Sequence, residues 1–370
     1  MEKQLQLPIL SVEESSRVLI SSPAKKKAKF TRGDVNRAGE IFRDASSSQK
    51  NTPWAAVVLG KWRAMHNYPI NTFQATLRHR LKSIDREALV AQRLKRIPSI
   101  IVKLRRFPDM QLARMQDIGG LRAVVGTLKQ VEALYHNYKK TYLQHELVSD
   151  RDYVAQPKKS GYRSIHLVYR YKNNSAPEYD GLLLELQFRT RQQHAWATAV
   201  ETMGIFLDSA LKSSEGPQEW LKFFSLTGSA FAYLESCNPV PGFENLTPDE
   251  TFKQVAQKAQ HLKVREKLSG FGTAINAIHS DSRKGTYYLL LLDPTAKTVR
   301  FQAYSKERFE EATADYLKAE EKIVEGSQQQ AVLVATASVE ALRRAYPNFF
   351  LDTHEFLSVL KQIEDRAAKS

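Results

Sequence analysis

The chain has 370 residues, 42% of them hydrophobic and 26% charged, enough for two or three domains with a sizeable core, and no apolar run approaches the roughly 20 residues that cross a bilayer. The opening MEKQLQLPILSVEESS lacks the basic start and cleavage-type stretch of a secretory leader, and the one cysteine, Cys237, excludes an internal disulfide; a cytoplasmic protein with no membrane partner is expected. The net charge of +15 draws polyanions such as RNA or nucleotides, and it is segregated: residues 240–370 hold 18 basic and 18 acidic side chains, residues 1–239 hold 37 and 22.

Residues 1–28 are polar and end in PAKKKAK, which reads as a flexible basic arm. TRGDVNRAGEIFRDA follows as a helix with Thr31 as N-cap, and helical spacing recurs at about 54–66 and 70–94, where Phe73, Leu77 and Leu81 share a face. Residues 78–106 carry ten Lys/Arg against two acids, a density that repels itself unless an anion is near. IGGLRAVVGTL is β-rich, VEALYHNYKKTYL helical, YRSIHLVYRY and GLLLELQFRT are strands, and RQQHAWATAVETMGIFLDSALKSS is a long helix. The order strand, helix, strand, strand, helix predicts an α+β fold, a sheet covered by helices.

The Pro- and Gly-bearing SCNPVPGFENLTPDE marks a boundary, so a domain over 29–238 and a smaller one over 239–370 are expected. The second unit reads as α/β: a helix from Asp249, a hairpin of GTYYLLLLD and TVRFQAY, a helix, the strand AVLVATA, then helix, turn and helix.

In the basic half, Asp117 stands at the start of one strand and Glu185 inside another. A carboxylate in an apolar strand is costly unless it is paired or binds a cation. Either the two are bridged to Arg122 and Arg189, or Asp117 holds Mg2+ on nucleotide phosphates while Glu185 shares the metal or takes a hydroxyl proton. DYVAQPKKSGYRSIHL puts Lys158, Lys159, Gly161, Tyr162 and Arg163 on a loop entering a strand, suited to stacking a base and neutralising its phosphates. QRLKRIPSIIVKLRR offers Arg93, Lys95 and Lys103 to a triphosphate.

Taken in order, Arg93 and Lys95, Ser99-Ile100, Lys103, Asp117 to Arg122, Asp152-Tyr153, Pro157-Lys158, Gly161 to His166, and Glu185, Gln187, Arg189 and Thr190 closely resemble the RelA/SpoT synthetase domain over about residues 60–215. The resemblance implies a nucleotidyltransferase-like mixed sheet flanked by helices, moving the β,γ-pyrophosphate of ATP onto a ribose 3'-hydroxyl. By position it makes Asp117 the Mg2+ ligand and Glu185 the second essential acid, as ligand or base. Arg93, Lys95, Lys103 and Arg122 would contact ATP, Tyr162 would stack the acceptor base, and Lys158 and Arg163 would serve the acceptor's phosphates. Gln187, Arg189 and His194 match recurrent positions that a strand-end hydrogen-bond network explains as well, and Trp196 reads as core. Gly119 and Gly120 would let backbone approach the nucleotide.

No HD-type hydrolase segment precedes the domain, so alarmone degradation is not expected. The N-terminal helices resemble those of toxic small alarmone synthetases, and the neutral C-terminal unit resembles the fused antitoxin of the CapRel group. That resemblance implies an acceptor at the 3'-terminal adenosine of tRNA, with translation inhibited. It also implies autoinhibition by a C-terminal regulatory domain until a phage protein, typically the major capsid protein, binds. The aromatic pair would be Tyr346 and Phe349, a Tyr-x-x-Phe where the group has Tyr-x-x-Tyr. A tRNA acceptor stem would suit a basic groove over 78–106 with the Lys25 to Lys29 arm. Two alternatives stand: a (p)ppGpp synthetase using GDP or GTP, and a non-catalytic RNA-binding protein.

Overall fold

A computed structural model describes residues 30–44, 52–95, 97–140, 143–207, 211, 214–270, 286–293, 298–322, 330–335 and 349–369. The expected basic arm lies outside them. Three helices lead the described residues: α1 (Arg32–Arg43), α2 (Thr52–Met65) and α3 (Asn67–Leu81). The first starts where the sequence predicts: the Thr31 hydroxyl accepts from Asp34 N at 3.1 Å and the Asp34 carboxylate accepts from Thr31 N at 2.9 Å, a reciprocal cap.

The helix expected to run to 94 stops at 81. Residues Leu89–Leu94 instead form β1, which pairs antiparallel along the edge of β2 (Gly119–Val125). Asp85 makes the turn, accepting from Glu87 N and Gly126 N, each at 2.9 Å. After β1 come α4 (Ile97–Arg106), and after β2, α5 (Leu128–Lys140), β3 (Glu146–Asp152), β4 (Ile165–Arg170), β5 (Leu183–Thr190), α6 (Arg191–Phe206) and α7 (Gln218–Leu234). The strand order is β1-β2-β5-β4-β3, with β2 and β5 parallel and every other pair antiparallel. This is the α+β arrangement expected, with two edge strands, β1 and β3, and the helix α7 added to it.

Side chains alternate across the central strands. Leu121, Ala123, Leu184, Leu186, Phe188, Ile165 and Leu167 are buried in one core with Phe73 and Leu77 of α3 and Val131 and Leu134 of α5. The opposite face of the same strands is polar, and the candidate site forms there. Gly119 belongs to the packed side: a Cβ there would stand 2.8 Å from Leu184 Cδ2 and 3.0 Å from His66 Cβ, so the glycine seats α3 on the sheet rather than admitting a nucleotide.

The C-terminal unit adds α8 (Pro248–His261), β6 (Tyr287–Asp293), β7 (Thr298–Tyr304), α9 (Phe309–Lys322), β8 (Gln330–Ala335) and α10 (Phe349–Ala367). Its three described strands are antiparallel in the order β7-β6-β8. Trp196, Trp220, Phe223, Phe224 and Phe231 of α6 and α7 share one buried cluster with Phe252, Val255, Tyr288, Leu290, Phe356 and Leu360. The chain connection at 238/239 therefore does not separate two cores: apolar residues on both sides of it are buried together.

His66, between α2 and α3, is 1% exposed, hydrogen-bonds Trp62 O through Nδ1 at 2.9 Å and meets the Trp62 ring edge-on. Burial pulls its pKa down to about 4 from an ordinary 6.5. A histidine depressed in this way contributes stability in full above pH 6.5 and loses it as pH falls through 4, about 3 kcal/mol in all. The urea midpoint of the wild type is expected to fall more between pH 7 and pH 4.5 than that of His66→Gln; equal slopes would show that His66 is not buried neutral.

Candidate active site

Parallel pairing sets Gly120 beside Glu185, and Arg122 beside Gln187, on the polar face. Gly120 leaves room there, since a Cβ would lie 3.3 Å from Glu185 O. Asp117 precedes β2 by two residues. Lys95 Nζ, just past β1, and Lys103 Nζ, from α4, each donate to one of its carboxylate oxygens at 2.9 Å. Lys95 is held in place by its backbone N, which donates to Ile118 O at 2.7 Å. Burial alone would raise the Asp117 pKa, but the two ammonium groups outweigh it and bring it to about 2. Asp117 is thus paired with two lysines.

Glu185 sits in a closed hydrogen-bond ring. His166 Nδ1 meets its Oε1 at 2.8 Å, and Gln187 Nε2 donates to its Oε2 at 2.7 Å. His166 Nε2 meets the Tyr162 hydroxyl at 2.6 Å; Arg189 Nη2 donates both to that hydroxyl at 2.5 Å and to Gln187 Oε1 at 2.9 Å, closing the loop. Burial would raise the Glu185 pKa and the Asp117 charge pushes the same way, yet the His166 and Gln187 contacts bring it to about 2. Burial likewise opposes a Tyr162 phenolate, but the Arg189 guanidinium and then His166 draw the phenol down to about 7.

The tyrosine itself is carried by a braced loop. Gly161 has φ +94°, where a Cβ would also collide with Phe224 O at 2.7 Å and Trp196 at 2.8 Å. Gly228 of α7 presses on Gly161, the Ser225 hydroxyl donates to Lys159 O at 2.5 Å, and Trp196 Nε1 donates to Phe224 O at 3.0 Å. Trp196 is core, as expected. Lys158 lies over Tyr153 at 4.3 Å and over Tyr162 at 5.3 Å, and Arg189 lies over Tyr162 at 5.0 Å.

Lys95, Lys103, Asp117, Arg122, Glu185, Gln187, Arg189, Tyr162 and Lys158 therefore come together around one sheet face, where Arg122 Nε is 3.5 Å from Gln187 Oε1. Arg93 occupies the β1 register position opposite Gly120. Two expectations change. Arg163 is 3% exposed and paired with Glu235 at 2.7 Å beneath the loop, so it does not face an acceptor phosphate; it anchors the loop to the end of α7. His194, whose role was left open, is buried on α6, with its carbonyl accepting from Thr198 Oγ1 at 3.1 Å. The ten cations of 78–106 do not all line one groove: Arg80 is buried against Tyr138 and Asn137, and Arg78 lies on α3, which packs on the apolar face of the sheet. Tyr346 lies outside the described residues, and Phe349 opens α10. Sequence reasoning named His166 within the motif without giving it a role, and passed over Glu235. His166 was visible as the residue in phase with Val168 and Arg170 on β4; nothing local marks Glu235.

Two ionised carboxylates within electrostatic reach of one another fit a hard divalent cation. No group of three or more His, Cys, Asp or Glu able to hold a metal occurs among the described residues, so a cation here would take its remaining oxygens from phosphate and water, as Mg2+ commonly does.

Residues 92–205, the stretch from β1 to α6, match the family model described as a region found in RelA / SpoT proteins. Among curated proteins, the chain is 35% identical over 113 residues to the GTP pyrophosphokinase YjbM of Bacillus subtilis, covering 30% of this chain and 52% of that one. It is 30% identical over 114 residues to the GTP pyrophosphokinase YwaC of the same organism, covering 29% and 52%. The chain spans about half the length of these relatives. Among solved structures, small alarmone synthetase 1 from Bacillus subtilis bound to pppGpp aligns with a TM-score of 0.42 at 24% identity, over 48% of this chain and 92% of that one. A GTP pyrophosphokinase family protein from Streptococcus pneumoniae aligns with a TM-score of 0.41 at 25% identity, over 48% and 89%.

Glu235→Ala is expected to cost about 3–5 kcal/mol, because it strands a buried guanidinium. The double variant with Arg163→Ala should lose less than the sum of the two single variants; additive losses in the thermal midpoint would show that the pair is uncoupled.

Proposed function

We propose that the polar sheet face transfers the β,γ-pyrophosphate of ATP to a ribose 3'-hydroxyl. The observation that carries this reading is the Lys95–Asp117–Lys103 cluster beside Glu185: two cations, held by an acid, at a place where a triphosphate can take them over. The acceptor oxygen bonds to the β-phosphorus, the bond from that phosphorus to the α,β-bridging oxygen breaks, AMP leaves, and the hydroxyl proton passes to a base. Lys95, Lys103, Arg93 and Arg122 bind and orient the donor, which accounts for most of the catalysis in a phosphoryl transfer. Asp117 and Glu185 would hold Mg2+, which when bound would supply neutralisation of the developing charge. A carboxylate near pKa 2 is a weak base, so in this geometry Glu185 acts first as ligand and orienting acceptor for the 3'-hydroxyl.

The acceptor proposed is the 3'-terminal adenosine of tRNA. The complete segregation of the +15 excess into the half bearing the site supports it, because an acceptor stem offers many phosphates. GDP or GTP is the second reading, favoured by the names of the curated relatives. For the C-terminal unit the proposed role is autoinhibition, with Tyr346 and Phe349 covering the donor site until a phage protein such as the major capsid protein binds.

With γ-labelled ATP, label is expected on tRNA and to fall by at least about a hundredfold in Asp117→Asn; label on GDP or GTP alone would replace the acceptor, and none on any acceptor would remove the activity. Tyr346→Ala is expected to raise growth inhibition in cells without phage, and unchanged growth would discard the latch.

A further inference from the structure

The proton arrangement of the Glu185 ring is dictated by its members. Arg189 only donates and ionised Glu185 only accepts. Arg189 Nη2 therefore donates to the Tyr162 oxygen and to Gln187 Oε1, which orients the Gln187 amide so that Nε2 donates to Glu185 Oε2. With its oxygen already accepting from Arg189, Tyr162 points its own proton at His166 Nε2. His166 then has one way to satisfy Glu185: Nδ1 carries a proton and donates it to Oε1. This holds whichever side of the Tyr162–His166 contact the other proton occupies. The imidazole is also clamped physically, its side chain 13% exposed and crossed edge-on by the rings of Tyr153 and Tyr162 at 5.2 and 5.6 Å.

We infer that His166 is a positioning residue that sets the orientation of the Glu185 carboxylate through Nδ1 and ties it, through Nε2, to the tyrosine on the acceptor loop. The inference rests on the pyrophosphotransfer reading and deepens it. Two donors, one on each oxygen, fix the plane of the carboxylate. The oxygen held by Gln187 stays aligned only while Arg189 holds Gln187, and Arg189 is itself held by Tyr162. A displaced Tyr162 is thus felt at Glu185, and His166 is the shorter of the two routes.

The test uses the full chain with His166→Ala, His166→Asn and His166→Gln. An Asn amide places its NH2 where Nδ1 stands; a Gln amide reaches the Nε2 position. His166→Ala should lower kcat about 10–100-fold, as loss of an orienting partner does, with KM for ATP changed less than about twofold. His166→Asn should recover most of that loss and His166→Gln should not. Recovery by Gln alone, or an undiminished kcat in the Ala variant, overturns the inference. Thermal midpoints of all three variants identify any that fail to fold. The wild type supplies a readout independent of activity: long-range proton–nitrogen NMR of the histidine rings, with His166 assigned by its absence from the Asn variant, should show Nδ1 protonated. A bare Nδ1 with Nε2 protonated overturns the inference. If the wild type transfers no label to any acceptor, the pyrophosphotransfer reading fails, and the NMR result still decides the ring.

Discussion

Two carboxylates facing one half-buried sheet surface repel each other, and the charge of Asp117 is felt at Glu185. Most of the surrounding chemistry follows from that cost. Each acid is compensated separately: Asp117 by two ammonium groups, Glu185 by a neutral amide and an imidazole. The compensation differs in kind. The lysines stand just past β1 and on α4, outside the central strands, and can exchange partners with an anion without disturbing the sheet. The ring around Glu185 lies on β4 and β5 and on the loop before β4, so it moves only with the sheet or the loop. The two acids are therefore held side by side by an exchangeable clamp and a rigid one.

The rigidity has a source beyond the sheet. The loop bearing Tyr162 is pressed by Gly228, Phe224 and Ser225 of α7, and Arg163 ties it to Glu235 at the end of that helix. The Phe224 and Phe231 rings of α7 also meet Phe356 of α10, at 6.3 and 5.5 Å. A single helix therefore touches both the Tyr162 loop and the core of the C-terminal unit, and the loop cannot shift far without loosening that core. Where packing is this dense, displacement is passed on rather than absorbed.

The central strands β2, β4 and β5 were legible because burial on the apolar face imposes a period of two, and LLELQFRT shows it plainly. The edge strands were not. LVAQRL continues a helix-like run, and ELVSDRD is polar on both faces, because an edge strand has fewer neighbours to impose a pattern. Arg163 illustrates the same limit within the site. Beside Lys158 and Tyr162 it reads as one more phosphate cation; only the arrival of Glu235, 72 residues later, makes it a buried structural ion pair.

By itself, then, the sequence determined the α+β class, the central strands, the charge asymmetry and the residue types at the site, since each depends on local spacing or on composition. The tertiary structure decided who partners whom. Lys95 and Lys103 on Asp117, the His166 ring on Glu185, Gly119 as a helix seat, and the core shared across 238/239 all join segments distant in the chain. Such contacts form only when sheet register and helix packing have paid the entropy of closing the loops between them.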